Sequence, residues 1–217
     1  ITSLGTLENP VVNWQVFSGQ SESDAYGSII GDFSASISAS EAAIERCGAG
    51  TLFPVMISSE ITDGSRESFL NIVSGNDAKI AWKVSLGDTE AIRSTPMIHD
   101  IDGDGQQEII VVYDTQGALN IDVWSPQLTC TESNWQATGH SNELLWSYSD
   151  ADVRIGSPSP HFATANSDHK AVTQPLLADL ELDGTPELVI AVVDDPDNNP
   201  LVKVNAYSLT SSQPTQE

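Results

Sequence analysis

Two stretches of the chain share one pattern without a gap: PMIHDIDGDGQQE (Pro96–Glu108) and PLLADLELDGTPE (Pro175–Glu187). Each reads Pro, three residues, Asp, any, Asp or Glu, any, Asp, Gly, two residues, Glu. Each runs into an aliphatic segment, IIVVY or LVIAVV, then a turn, DTQG or DDPDNNP, then a second strand-like segment, LNIDVWS or VKVNAYS. A duplicated unit of this size constrains the fold more than any single motif. Such a unit cannot bury its apolar face alone and must stack on its neighbours.

A degenerate third copy, PVMISSEITDGSRE (Pro54–Glu67), keeps the Pro, the Asp-Gly and the Glu but lacks the first two carboxylates in register. Tryptophans keep the same beat, in NWQVFS at Trp14, AWKVS at Trp82 and LWSYS at Trp146. The units are therefore read as 1–80, 81–145 and 146–217, one domain of three repeats. Short apolar runs, dense turn signals and little helical period make the chain all-β. The run after each motif does not alternate, so that strand should be covered on both faces. Blades of a β-propeller, four-stranded antiparallel sheets packed face to face, supply such cover. About three units would leave the ring incomplete. A short inserted helix is expected near 38–47, where Ser38 and Glu41 fit a capping box and Gly48 a stop. The segment 159–174 has no periodicity and reads as a surface loop.

The carboxylates carry the chemistry. Counting Asp100 as position 1, acidic side chains fall at 1, 3, 5 and 9: Asp100, Asp102, Asp104 and Glu108. The second copy gives Asp179, Glu181, Asp183 and Glu187. Oxygen donors at alternate positions of a tight loop converge, and calcium takes six to eight oxygens at about 2.3–2.6 Å. Gly105 and Gly184 stand at position 6, where a sharp turn is needed, and Gln106 and Thr185 would offer carbonyls at position 7. Position 12 is Val111 or Ile190 rather than a bidentate Glu, so neither loop is an EF-hand. Two calcium ions are expected, one per loop. The upstream copy, with Ser59, Ile61 and Asp63 at the corresponding places, reads as a metal-free turn.

These motifs resemble the FG-GAP/VCBS repeat, the blade unit of integrin-α-like β-propellers. The tryptophan-bearing strands resemble the related PQQ-like propeller repeats. The resemblance covers most of residues 80–217 and more weakly the first 80. It implies calcium held by the carboxylates at 1, 3, 5 and 9 and the carbonyl at 7. Glu181 departs from the usual Asp at position 3.

Composition narrows the partners. The chain has 31 Asp+Glu against 8 Lys+Arg, a formal charge of −23. Nucleic acid and anionic membrane surfaces need basic patches, so both are excluded, and cations or a saline medium are favoured. No apolar run is long enough to enter a membrane as a helix. The chain begins at Ile1, so it is expected to be processed or part of something longer. Cys47 and Cys130 are compatible with one disulfide or with two buried thiols. No nucleophile motif, phosphate loop or histidine pair is present, and Arg93 and Arg154 recur at like places as structural ion pairs or as a grip for an anion. The leading expectation is a secreted or cell-surface calcium-binding module with a structural, adhesive or assembly role, without catalysis. Its partners would be other chains or further blades, with carbohydrate as an open class. A lyase-type enzyme acting on polysaccharide and a scaffold subunit of an extracellular filament are the alternatives.

Overall fold

The computed structural model describes residues 26–31, 33, 53–62, 65–74, 79–87, 91–92, 95–115, 118–128, 130–131, 134–135, 143–154, 175–194 and 201–209. The expected helix at 38–47, the loop at 159–174, Trp14, Cys47 and Arg93 lie outside them. So do the side chains of Cys130 and Arg154.

The described chain is all-β. The first sheet holds β1 (Tyr26–Gly31), β2 (Phe53–Thr62), β3 (Ser65–Val73) and β4 (Ile80–Gly87), in that spatial order. The second is built around β7 (Glu108–Thr115), which pairs with β5 (Ala91–Ile92) and β6 (Met97–His99) on one side. On its other side lies β8 (Ala118–Trp124), which pairs in turn with β11 (Leu144–Arg154); between those two in sequence, β9 (Cys130–Thr131) and β10 (Asn134–Trp135) form a separate two-stranded ribbon. The third holds β12 (Leu176–Ala178), β13 (Glu187–Asp194) and β14 (Leu201–Ser208). Every pairing is antiparallel. The tryptophan strands close sheets rather than open them. Trp82 lies in β4, at the edge of the first sheet, and Trp146 in β11, at the edge of the second. The sheets therefore divide one strand later than the beat of the tryptophans.

The repeat extends to the register of the ladders. In the second sheet Met97 faces Ile110, which faces Val123; in the third, Leu176 faces Val189, which faces Ala206. Glu108 and Glu187 open β7 and β13 alike. The degenerate copy differs: β2 and β3 pair without interruption from Val55–Ile72 down to Thr62–Ser65. That hairpin holds the backbone of Ser59 and Ile61 extended in a ladder instead of folding it into a loop of successive turns.

Strand β7 explains the aliphatic run. Ile109, Val111 and Tyr113 enter one core with Val55, Ile57, Leu70, Ile72 and Trp82 of the first sheet. Ile110 and Val112 enter a second core with Leu188, Ile190 and Tyr207 of the third. The three sheets thus stack in chain order with the second in the middle. Each fully buried aliphatic side chain contributes about 1.5–3 kcal/mol relative to exposure.

Several polar groups inside the stack are paired. Trp82 donates from Nε1 to Glu143 Oε2 at 3.1 Å, and the Gln127 backbone N–H donates to Glu143 Oε1 at 2.8 Å. Trp82 also meets Trp124 edge to face, with ring centroids 5.9 Å apart, so the first two sheets are joined by both contacts. Within the second sheet the buried Asp122 accepts from Tyr113 Oη at 2.8 Å and from Ser147 Oγ at 2.7 Å. Burial pushes the Asp122 carboxyl up, against those two hydrogen bonds. Burial and the neighbouring Asp122 push the Tyr113 phenol far up as well.

Candidate metal centre

Two loops, between β6 and β7 and between β12 and β13, carry the repeated carboxylates. Their shape follows from side chains folding back on their own backbone. In the first, Asp100 accepts from the N–H of Gly103 at 2.8 Å through Oδ1 and from Gly105 at 3.0 Å through Oδ2. Asp102 accepts from Asp104 N–H at 3.1 Å, and Asp104 from Gln106 N–H at 2.7 Å. These are Asx-type turns, each short carboxylate capturing a backbone donor a few residues ahead. Gly103 and Gly105 have φ of 75° and 87°, a region where a Cβ is penalised.

The second loop reproduces three of these links. Asp179 Oδ2 accepts from Gly184 N–H at 2.9 Å, Asp183 from Thr185 N–H at 2.8 Å, and Glu187 from Leu180 N–H at 2.7 Å. The last matches Glu108, whose Oε2 accepts from Ile101 N–H at 2.8 Å. The glutamate at position 9 therefore ties the start of each loop to the first residue of the following strand. The backbone donors Ile101 and Leu180 have no side-chain signal, and sequence reading did not find them. The second loop differs at position 4, where Leu182 takes the place of Gly103. It sits at φ 59°, and its side chain is 87% exposed.

The first loop gathers carboxylates. Asp100, Asp102 and Glu108 each offer an oxygen, all within 4.8 Å of one another. Glu108 is fully buried, and its Oε1 has no hydrogen-bond partner. Burial pushes its carboxyl up to about 7 against the hydrogen bond from Ile101, and the charges of Asp102, Asp104 and Asp100 add to the rise. Asp104 stands outside the triad; its Oδ2 accepts from the Gln106 side-chain amide at 3.1 Å. In the second loop Asp179, Glu181, Asp183 and Glu187 do not reach the same convergence. Thr185 contributes its N–H to the turn.

His99 is exposed at the end of β6, and His140, His161 and His169 lie outside the described residues. Among the described residues no helix is long and apolar enough to cross a membrane. Compared with protein-family models, curated proteins and solved structures, the chain matches none of them.

Proposed function

We propose that the protein is a calcium-binding repeat module of the FG-GAP/VCBS propeller type, secreted or displayed at a cell surface, with a structural rather than a catalytic role. One observation carries the reading. A fully buried carboxylate, Glu108, has one oxygen, Oε1, without a hydrogen-bond partner, and the residue forms a triad with Asp100 and Asp102. Leaving such an oxygen unpaired costs more than about 1–3 kcal/mol when the group is charged. A cation among the three oxygens removes that penalty and the mutual repulsion together.

The donors select the ion. All are oxygens, without thiolate or imidazole, which favours calcium or magnesium over zinc. Loops of successive turns tolerate the irregular shell of calcium better than the octahedron of magnesium. Asp100, Asp102 and Glu108 would hold the first ion, with Asp104 and the Gln106 carbonyl completing it after rearrangement. Asp179, Glu181, Asp183, Glu187 and the Thr185 carbonyl would hold a second, after a larger closure and hence more weakly. The role follows from the links already present. The ion would lock each loop to the strand it feeds, β7 or β13, fastening the stacked sheets. Millimolar calcium outside cells suits a site of this exposure.

Titration calorimetry of the chelator-treated protein tests this. Calcium should bind at about two sites, Glu108→Gln should remove the tighter one, and magnesium should compete poorly. Absence of calcium binding up to millimolar concentration refutes the reading.

A further inference from the structure

One residue of the first acidic loop belongs to the core between the second and third sheets. Ile101 stands between Asp100 and Asp102, two members of the carboxylate triad, and is 6% exposed. It shares that core with Ile110 and Val112 of the second sheet and Leu188 and Ile190 of the third. The third member of the triad holds its backbone, since Glu108 Oε2 accepts from Ile101 N–H at 2.8 Å. Asp100 accepts from Gly103 and Gly105 N–H, and Asp102 from Asp104 N–H. The backbone around Ile101 is thus shaped by the same side chains that make up the triad.

The second loop is an internal comparison. Glu187 accepts from Leu180 N–H at 2.7 Å as Glu108 does from Ile101, and Asp179 accepts from Gly184 N–H as Asp100 does from Gly105. Yet Leu180 is 56% exposed and belongs to neither core, and the carboxylates of its loop are not gathered. Of two loops alike in backbone bonding, the one with a core residue in it is the one whose oxygens converge.

The convergence and the docking of Ile101 bear on each other. Ionised oxygens within 4.8 Å of one another repel, and their spreading draws on the backbone that carries Ile101. A docked Ile101 fixes that backbone and pre-organises the oxygens. Cation binding and packing of the third sheet therefore ask for one loop conformation, and each favours the other by the same factor. We propose that calcium in the first loop acts beyond its own strand: through Ile101 it latches the third sheet onto the second, and the docked third sheet in turn tightens the site. Ile101 is a positioning residue, since its side chain offers the ion no donor. The proposal rests on the metal reading above and assigns what the first ion regulates.

Hydrogen exchange and titration calorimetry of the full chain carrying Asp183→Ala, which silences the second loop, test it. Calcium should bind at one site. It should slow exchange in β14, remote in sequence from that loop, by about fivefold or more, and by more than in β3. Adding Ile101→Ala should weaken the site by about fivefold or more and remove the extra protection of β14, while β7 stays protected at saturating calcium. Ile101→Val should retain both. Ile72→Ala, buried in the other core, should lower the melting midpoint and leave calcium affinity unchanged, which separates positioning from a general loss of stability. The β14 result needs no core substitution and decides alone if Ile101→Ala fails to fold. Calcium that binds without added protection of β14, or with an affinity indifferent to Ile101→Ala, overturns the latch and leaves the metal reading standing. Absence of binding overturns both.

Discussion

Glu108→Gln should change the sign of its effect on stability when calcium is added. In the calcium-free protein burial is the main cause that lifts the Glu108 carboxyl from 4.5 to about 7. Holding it ionised at neutral pH therefore costs the fold roughly 3 kcal/mol. Glutamine keeps an oxygen to accept from Ile101 N–H and places an NH₂ where Oε1 has no partner, beside Asp100 and Asp102. In chelator the variant should thus be the more stable protein, by up to roughly 3 kcal/mol. Calcium acts the other way. At an extracellular-type dissociation constant of about 0.1 mM, about 2 mM calcium adds roughly 1.8 kcal/mol per site. The wild type should gain up to about 3.6 kcal/mol from two sites and the variant, left with the weaker one, at most about half of that. At about 2–4 °C per kcal/mol for a chain of this size, calcium should raise the wild-type midpoint by up to about 7–14 °C and the variant's by at most about 4–7 °C. Thermal melts of both proteins in chelator and in calcium, at neutral pH, give all four numbers. Equal calcium increments would refute the assignment of Glu108 as a ligand. A variant less stable in chelator would show that its carboxylate is compensated without metal.

Three further outcomes are expected. Leu182→Gly removes a bulky residue from positive φ, worth about 1–2 kcal/mol, less about 0.4–1 kcal/mol for the freer unfolded chain; a thermal midpoint raised by about a degree or more checks it, and a lowered one counts against strain at this turn. Gly31→Ala should destabilise by about 1–3 kcal/mol, because the added carbon would lie 2.6 Å from Phe33 Cε2 and 2.7 Å from Ile98 Cδ1; unchanged urea unfolding would mean that these side chains yield freely. The Asp122 carboxyl is raised in the fold, chiefly by burial. Its contribution to stability is therefore fully present below the unfolded value near 3.9 and lost as pH rises through the folded one. Asp122→Asn should flatten the decline of stability with pH above about 4, and a slope identical to the parent's would exclude Asp122 as its source.

Much of the fold and site is written locally. In IIVVY and LVIAVV no residue is polar at either parity, and a strand without a wet face needs cover on both sides; β7 has it. The equal spacing of the two acidic motifs anticipates the equal register of the sheets they enter, because a strand's side chains alternate strictly and a slip of one residue would turn each apolar set to the wrong face. The alternate carboxylates, with Gly105 and Gly184 between them, likewise announce loops whose side chains converge on their own backbone.

Other features exist only between distant segments. Trp82 and Trp146 look alike whether their strands open or close a sheet; the choice lies in backbone hydrogen bonds to β3 and β8, which no side chain encodes. Asp122 reads as an outward residue of an alternating strand until the first sheet covers that face and Tyr113 and Ser147 supply its donors. The two loops are nearly equal as text, yet Glu108 is fully buried and gathered into a triad with Asp100 and Asp102, and the second loop stays more open. Ile101 packs against the third sheet, whereas Leu180 meets no described sheet beyond its own. Chain order fixes which carboxylates can meet; packing on the next sheet decides which ones do, because burial removes the water that would otherwise satisfy them.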